Sequence, residues 1–346
     1  MNKKTERKQN LRLIVEALQQ LGPVAQIRLK EFCNLQASTV SYLINDLKQQ
    51  NLVVDIGKED TQGRVGKPGN MVGLNNREAV FLGMYVEDTC LHIYLVGVDG
   101  TALSGDCIEY APNDVKEVIF SAIEKELQKH DNLRGIGIAI KAIVYNDGHI
   151  KSGTRQGKEH METSWDMMNL ASELRSTFCN MPIILENDAN SAAELYRQEH
   201  GCDNFVLYML NDIPFGIGCG LTIDGKVQRG RYGAAGEFFV KDLKVKQVRA
   251  AADKKENTLG DMIPFILPHM LQTAYLLDTE RFVLTGSLFR DASEEGIRQA
   301  KAQLSVVPVP VEIDYGSEQH LNPARGVALR AIHNYVDAFL EEMVKR

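Results

Sequence analysis

Two carboxylates and two carboxamides fall within the stretch Glu186-Asn187-Asp188-Ala189-Asn190, directly after the apolar run Ile183-Ile184-Leu185. The run is typical of a β-strand, and a helix rich in small residues is predicted to follow. In open α/β sheets, ligands bind at the carboxyl ends of strands. Amide and carboxyl groups together offer donors and acceptors that suit the hydroxyls of a sugar. The alternative is a helix N-cap. Four polar side chains exceed what a cap needs, so the pattern favours a ligand site.

The bulk composition indicates a globular protein. The chain has 346 residues, of which 44% are apolar, and this predicts two or three domains. No apolar run approaches the roughly 18 residues of a membrane span. The basic N-terminus lacks the apolar region and cleavage site of a signal peptide. We therefore expect a cytoplasmic protein with no membrane partner. The six cysteines form no CxxC pair, which predicts separate, reduced thiols.

Charge is distributed unevenly along the chain. Residues 1–79 hold 12 basic and 8 acidic side chains, whereas the remainder holds 27 basic and 38 acidic ones. A basic module on an acidic body predicts a polyanionic partner for the first module alone.

The first module has the pattern of a helix-turn-helix. An apolar face runs from Leu11 to Leu21, and Gly22-Pro23 predicts the end of that helix. A second helix is predicted over 27–33 with Phe32 inward, and a third over 37–50 with a polar outer face. In this arrangement the later helix enters the major groove of DNA. The residues predicted to face bases or phosphates on and before it are Gln36, Ser38, Thr39, Ser41 and Tyr42.

A hairpin is predicted after the third helix, with strands over 52–56 and 71–74. Its glycine-rich loop carries Arg64 and Lys67, which are predicted to lie along phosphates or in a minor groove. The alternative is a small protein-interaction module with a solvated basic loop. The ordered set of three helices and a wing favours binding of double-stranded DNA.

From Val80 onward, predicted strands alternate with helices, which indicates an α/β body. His92 lies in an alternating strand, where a hydrogen-bonded or exposed histidine is more typical than a metal ligand. A helix is predicted over 259–277, with breaks near Pro264 and Pro268. The last helix is predicted to begin with Asn322 as cap and Pro323 as first residue.

These segments together resemble the repressor–ORF–kinase (ROK) family. The resemblance rests on the winged helix-turn-helix, on Glu186 to Asn190, on Gly216-Ile217-Gly218-Cys219-Gly220 and on Gly230 to Glu237. It implies a two-lobed actin/hexokinase-like (ribonuclease H-like) ATPase fold behind the DNA-binding domain. The expected domains are 1–79, a first α/β lobe over 80–200 with helix 322–346 packing back on it, and a second lobe over 201–321.

The sequence departs from the family pattern at three places. The kinases' Asp-x-Gly-Gly-Thr phosphate loop reads Tyr85-Val86-Glu87-Asp88-Thr89 here, and its acids would repel phosphate. The family's zinc histidine is replaced by Val240, and no cysteine follows Cys219. Ala139-Ile140-Lys141-Ala142 replaces the Pro- and Gly-rich turn of the sugar loop. The resemblance therefore predicts no zinc or other cofactor and a degenerate ATP site.

The resemblance assigns effector binding to Asn187, Asp188 and Glu237, with a sugar or sugar phosphate as ligand. It implies a sugar-responsive transcriptional regulator, expected as a repressor that forms a homodimer or higher homo-oligomer, with no catalytic residue. One alternative is a sugar kinase with an unusual phosphate loop, in which Asp188 is the general base. Another is a regulator without a ligand, whose body serves only dimerisation.

Overall fold

The computed structural model describes ten stretches of the chain: residues 3–59, 69–87, 89–111, 113–151, 169–212, 215–237, 259–289, 293–304, 312–317 and 320–345.

The N-terminal segment is a winged helix-turn-helix. Its third helix buries an apolar side made of Val40, Leu43, Ile44 and Leu47 against the other two. A small sheet of order β1-β3-β2 supports the helices. The elements are α1 (Lys3–Leu21), β1 (Val24–Ala25), α2 (Gln26–Cys33), α3 (Ala37–Gln49), β2 (Val53–Lys58) and β3 (Asn70–Leu74).

The first sheet of the body has the order β10-β7-β4-β5-β6. Strands β4 and β7 are buried almost throughout, as expected for central strands, whereas the edge strand β6 is mostly exposed. The elements are β4 (Val80–Val86), β5 (Cys90–Gly97), β6 (Ala102–Glu109), α4 (Val115–Lys129), β7 (Leu133–Ile140), β8 (Ile143–Val144), β9 (Ile150–Lys151), α5 (Leu170–Thr177), β10 (Ile183–Asn187) and α6 (Asp188–His200).

The second sheet of the body has the order β13-β12-β11-β14-β15. Its core includes Tyr208, Phe282, Ile266 and Met270, so one long helix packs against the sheet. The elements are β11 (Phe205–Asp212), β12 (Phe215–Ile223), β13 (Lys226–Val227), α7 (Leu259–Leu277), β14 (Arg281–Thr285), α8 (Glu294–Leu304), β15 (Glu312–Tyr315) and α9 (Pro323–Lys345).

The chain divides into two compact units. Unit 1 comprises Met1–Ile138, Ser172–Ile184 and Ala328–Arg346, and unit 2 comprises Ala139–Ala171 and Leu185–Val327. The domain boundaries expected at 79 and 200 stay a prediction. No helix in the described stretches is long and apolar enough to cross a bilayer.

Most of the helices and strands predicted above are confirmed, and the errors concern two exposed apolar residues, one short strand and two helix breaks. Leu21 and Phe32, predicted inward, are 41% and 50% exposed, because α1 ends at Leu21 and the short helix α2 fully buries only Leu29. The two-residue strand β1 was not predicted, since its partner β3 lies more than 40 residues away. Helix α7 runs through Pro264 and Pro268 without the predicted breaks.

The prediction of six separate thiols was also wrong. Cys90 and Cys107 are joined in a disulfide with their Cα atoms 6.2 Å apart. The pair lies on adjacent antiparallel strands, β5 and β6, and strand register brings the cysteines together. A sequence separation of 17 residues does not reveal that register.

Candidate functional site

Asn187 is the N-cap of α6. It has extended backbone angles, and its side-chain oxygen accepts from the backbone N–H of Asn190 at 3.1 Å. Its Nδ2 donates to the carbonyl of Ala142 at 3.2 Å, in the segment that replaces the family's sugar loop. The N-cap alternative therefore applies to Asn187, and the same side chain also fixes the neighbouring loop; the ligand site stays a prediction.

The carboxylate of Glu186 contacts several groups of this stretch. Its buried carboxylate accepts from Asn187 N at 3.0 Å and from Asn190 Nδ2 at 3.2 Å. The other oxygen pairs with Arg229 Nε at 2.5 Å. Asn190 Oδ1 is buried and accepts no hydrogen bond from the described residues. Glu186 thus fixes the orientation of the Asn190 side chain.

Asp188 is 4% exposed, and its Oδ1 accepts from Ala189 N at 2.9 Å. Burial raises the pKa of Asp188 to about 6, the nearby charge of Lys141 opposes the rise, and Glu237 adds to it. Keeping a carboxylate in such a place costs stability unless a partner compensates it. An acid of this kind is typical of functional sites.

Glu237 lies close enough to Asp188 to influence its titration. The Glu237 side chain is exposed, and partial desolvation by the surrounding protein raises its pKa. Cys219 on β12 is buried, and burial raises the pKa of its thiol to about 12, so it stays protonated. The predicted effector residues Asn187, Asp188 and Glu237 are thus brought together within unit 2, and Lys141 supplies the positive charge beside them.

Close packing fixes the helix that begins at this site. A Cβ on Gly220 of β12 would lie 2.5 Å from the carbonyl oxygen of Ala189. A Cβ on Gly326, in the first turn of α9, would lie 1.7 Å from the carbonyl oxygen of Ser191. Glycine is therefore required at both positions. The Gly-x-Gly motif of β12 brings the backbone of the sheet against the first turns of α6.

The segment in place of the phosphate loop is a hairpin turn. Glu87 N donates to Cys90 O at 3.0 Å, and the Tyr110 hydroxyl donates to the Glu87 carbonyl. The Glu87 carboxylate pairs with His92 Nε2 at 3.0 Å. Asp88 lies outside the described residues. The carboxylate of Glu87 therefore occupies this turn.

The predicted DNA-contacting residues lie on the outer side of α3 and just before it. Gln36, its N-cap residue, is exposed, as are Ser38, Ser41 and Tyr42, and Thr39 is half-buried. Arg7 of α1 lies 5.9 Å from the Tyr42 ring centroid and pairs with Asp46 at 2.8 Å. Arg64 and Lys67 of the predicted wing lie outside the described residues.

Sequence reasoning missed the roles of Arg229 and Lys141. Arg229 lies 43 residues from its partner Glu186, and no local pattern links the two. Lys141 was noted only as a departure from the family's sugar loop. A single charged residue inside an otherwise apolar segment was the available signal. Val240, which replaces the family's zinc histidine, lies outside the described residues, so the absence of a cofactor stays a prediction.

A family model described as ROK family matches residues 83–238. The xylose repressor of Bacillus spizizenii is 26% identical over 239 residues, which are 67% of this chain and 60% of that protein. The xylose repressor of Staphylococcus xylosus is 25% identical over 220 residues, 62% of this chain and 55% of that protein. The chain therefore matches about 60% of the length of these curated relatives at most.

Solved structures show the same mixed α/β, actin-like fold. A ROK family transcriptional regulator, a homologue of the E. coli MLC protein, is 18% identical with a TM-score of 0.64 and covers 98% of this chain and 99% of its own. A ROK family glucokinase from Streptomyces griseus, with glucose and AMPPNP, is 16% identical with a TM-score of 0.57. It covers 74% of this chain and 100% of its own.

Proposed function

Since the chain carries a ROK-family domain, we propose that it is a DNA-binding transcriptional repressor with a sugar-binding, non-catalytic effector domain. Its partners are a double-stranded DNA operator, a sugar or sugar phosphate, and a second copy of the chain. Helix-turn-helix proteins read two half-sites as dimers, which supports the homodimer. A protein that reads an operator works where the DNA is, so the expected cytoplasmic location belongs to the same proposal.

The observation that carries the proposal is that α3 has one buried apolar side and one exposed polar side. Its four apolar side chains are buried in the three-helix core, while the predicted contacts Gln36, Ser38, Ser41 and Tyr42 face solvent. An exposed row of donors and acceptors on this helix fits the edges of bases in the major groove.

Asp188 supports the sugar-binding half of the proposal. A buried carboxylate whose charge is poorly compensated gains most from a ligand that donates hydrogen bonds, and sugar hydroxyls do so. Both relatives described above are named xylose repressor, so xylose is the first sugar to test. The turn at Glu87 supports the absence of catalysis, because a carboxylate there repels nucleotide phosphates.

The proposal is tested by fluorescence anisotropy with a labelled duplex from the gene's upstream region and a scrambled duplex, at several salt concentrations. Wild type should bind the upstream duplex selectively and with a steep salt dependence, and xylose or another sugar should weaken binding. Gln36→Ala and Ser41→Ala should lower affinity about 5–150-fold wherever the side chain reads a base. Ser104→Ala, on the exposed strand β6, is the matched control.

Equal and weak binding to both duplexes would overturn the proposal, provided that the upstream region is tiled completely. Equal losses in Ser41→Ala and Ser104→Ala would remove α3 from the interface. Size-exclusion chromatography with light scattering tests the homodimer on the same samples.

A sugar kinase is the second candidate, and Asp188 is the observation that favours it. A carboxyl with a pKa of about 6 suits a general base near neutral pH. The decisive assay is ATP consumption in the presence of xylose or glucose. The repressor proposal expects no turnover in wild type. Turnover that Asp188→Asn abolishes would establish the kinase instead.

A further inference from the structure

Three side chains that commonly bind metals share one face of the first sheet. Cys90 and His92 are two residues apart on β5, and Cys107 on β6 is the direct partner of His92. Alternation along a strand and direct pairing across strands place all three on the same face. The two sulfur atoms and a His92 nitrogen lie within 4.8 Å of one another. The opposite face, with Ile93 and Ile108, lines a cleft with α4.

The surroundings of His92 fix the orientation of its ring. Its Nε2 pairs with the Glu87 carboxylate at 3.0 Å, and the ring stacks on Tyr85 with centroids 5.8 Å apart. Histidines that bind metals typically donate their second ring N–H to a carboxylate, which fixes the tautomer and increases the basicity of the ligating nitrogen. The pairing of Nε2 with Glu87 therefore leaves Nδ1 as the ligating nitrogen.

We propose that Cys90, Cys107 and His92 bind one Zn²⁺ ion when the disulfide is reduced. Thiolate and imidazole ligands suit Zn²⁺, and two thiolates neutralise its charge. Ligands of a tetrahedral zinc lie about 3.4–3.8 Å apart, which small side-chain rotations of this cluster can reach. Three protein ligands leave the fourth position to water. The site is independent of the effector residues and departs from the expectation that this chain binds no metal.

The disulfide and the zinc form are two states of the same cysteines. A dithiol attacks the sulfur of the exposed Cys107, and a mixed disulfide forms while Cys90 leaves as a thiolate. The second thiol of the reductant closes its own disulfide and releases Cys107, so two electrons and two protons pass to the protein. Zn²⁺ then displaces both thiol protons and accepts His92. In the reverse direction, a small-molecule disulfide accepts two electrons from the two thiolates and is reduced to two thiols, while the Cys90–Cys107 bond re-forms and the metal is released.

The test uses the full chain, reduced with dithiothreitol, desalted under nitrogen, incubated with ZnCl₂ and desalted again. Inductively coupled plasma mass spectrometry should find about one zinc ion per chain in reduced wild type and none in the oxidised protein. Cys179→Ser, at an exposed free thiol, is the matched control and should retain zinc. Cys107→Ser should lose it. Glu87→Gln should bind zinc about 10–100-fold more weakly, because His92 loses its carboxylate partner.

Cobalt provides a readout on the wild-type protein alone. Co²⁺ added to the reduced chain should produce near-ultraviolet thiolate-to-metal absorption, which ZnCl₂ then removes. The proposal is wrong if reduced wild type retains no zinc, or if Cys107→Ser retains as much as wild type. Equal zinc in the oxidised and reduced proteins would also overturn it, because the metal would then lie at another site.

Discussion

Asp188 is almost fully buried, and burial raises the pKa of its carboxyl to about 6. Below its usual pKa the carboxyl is neutral in both folded and unfolded chains, so burial costs little. Between its usual pKa and pH of about 6, the Asp188 carboxyl keeps its proton in the folded protein but has lost it in the unfolded chain. The unfolding free energy therefore falls as pH rises through this window. Above about 6 the cost is constant at roughly 3 kcal/mol.

Asp188→Asn should therefore stabilise the ligand-free protein in a pH-dependent way. We expect a gain in unfolding free energy of about 1 kcal/mol at pH 4.5 and about 3 kcal/mol at pH 7.5, measured by urea denaturation. The control is Asp147→Asn, since the backbone N–H of His149 lowers the pKa of that exposed carboxyl, and no gain should follow there. A gain for Asp188→Asn that is equal at both pH values would refute the argument.

Arg229 and Glu186 form a second residue-scale test. Glu186 is 4% exposed, so removing its cation in Arg229→Met leaves a buried charge uncompensated. We expect a loss of about 3 kcal/mol in unfolding free energy, the lower end for buried pairs because Arg229 is partly exposed. The double variant Glu186→Gln with Arg229→Met should recover most of that loss. No recovery would mean that Arg229 acts through other contacts.

Among the elements, α6 depends on the contact with α9. A Cβ at position 326 would collide with the Ser191 carbonyl oxygen, so the backbone of α6 or that of α9 would have to move. Gly326→Ala should cost about 3 kcal/mol or more, measured by thermal and urea unfolding. Gly296→Ala in α8 is the control. The nearest atom there is Ser293 Oγ at 3.4 Å, and alanine should stabilise that helix by up to about 1 kcal/mol. Similar effects at the two glycines would contradict the contact.

Local periodicity accounts for what the sequence predicted at this scale. Helix α3 was predicted over 37–50 and ends one residue earlier, and Asn322 caps α9 as expected, because apolar spacing and caps are local signals. The sequence also located the strand-to-helix junction at Asp188. It could not locate Arg229, the strand β1 or the Cys90–Cys107 pair, since each depends on residues that only the tertiary fold brings together.

At the scale of the whole molecule, the proposed function requires that sugar and operator change each other's affinity for the chain by the same factor. If a sugar lowers operator affinity tenfold, the operator must lower sugar affinity tenfold, or about 1.4 kcal/mol. A sugar at 100 times its Kd should also stabilise the chain by about 2.7 kcal/mol.

Calorimetric titration of xylose, or of the sugar that anisotropy identifies, into free and operator-bound protein measures this factor directly. We expect the ratio of the two sugar dissociation constants to equal the ratio of operator dissociation constants with and without sugar. Asp188→Asn should bind the operator like wild type, since it lies outside α3, but it should lose both the calorimetric signal and the response to sugar. Unequal ratios would mean that sugar changes the number of chains on the DNA, which light scattering of the complex would then detect. A ratio of one in both experiments would leave the body as a dimerisation domain without an effector.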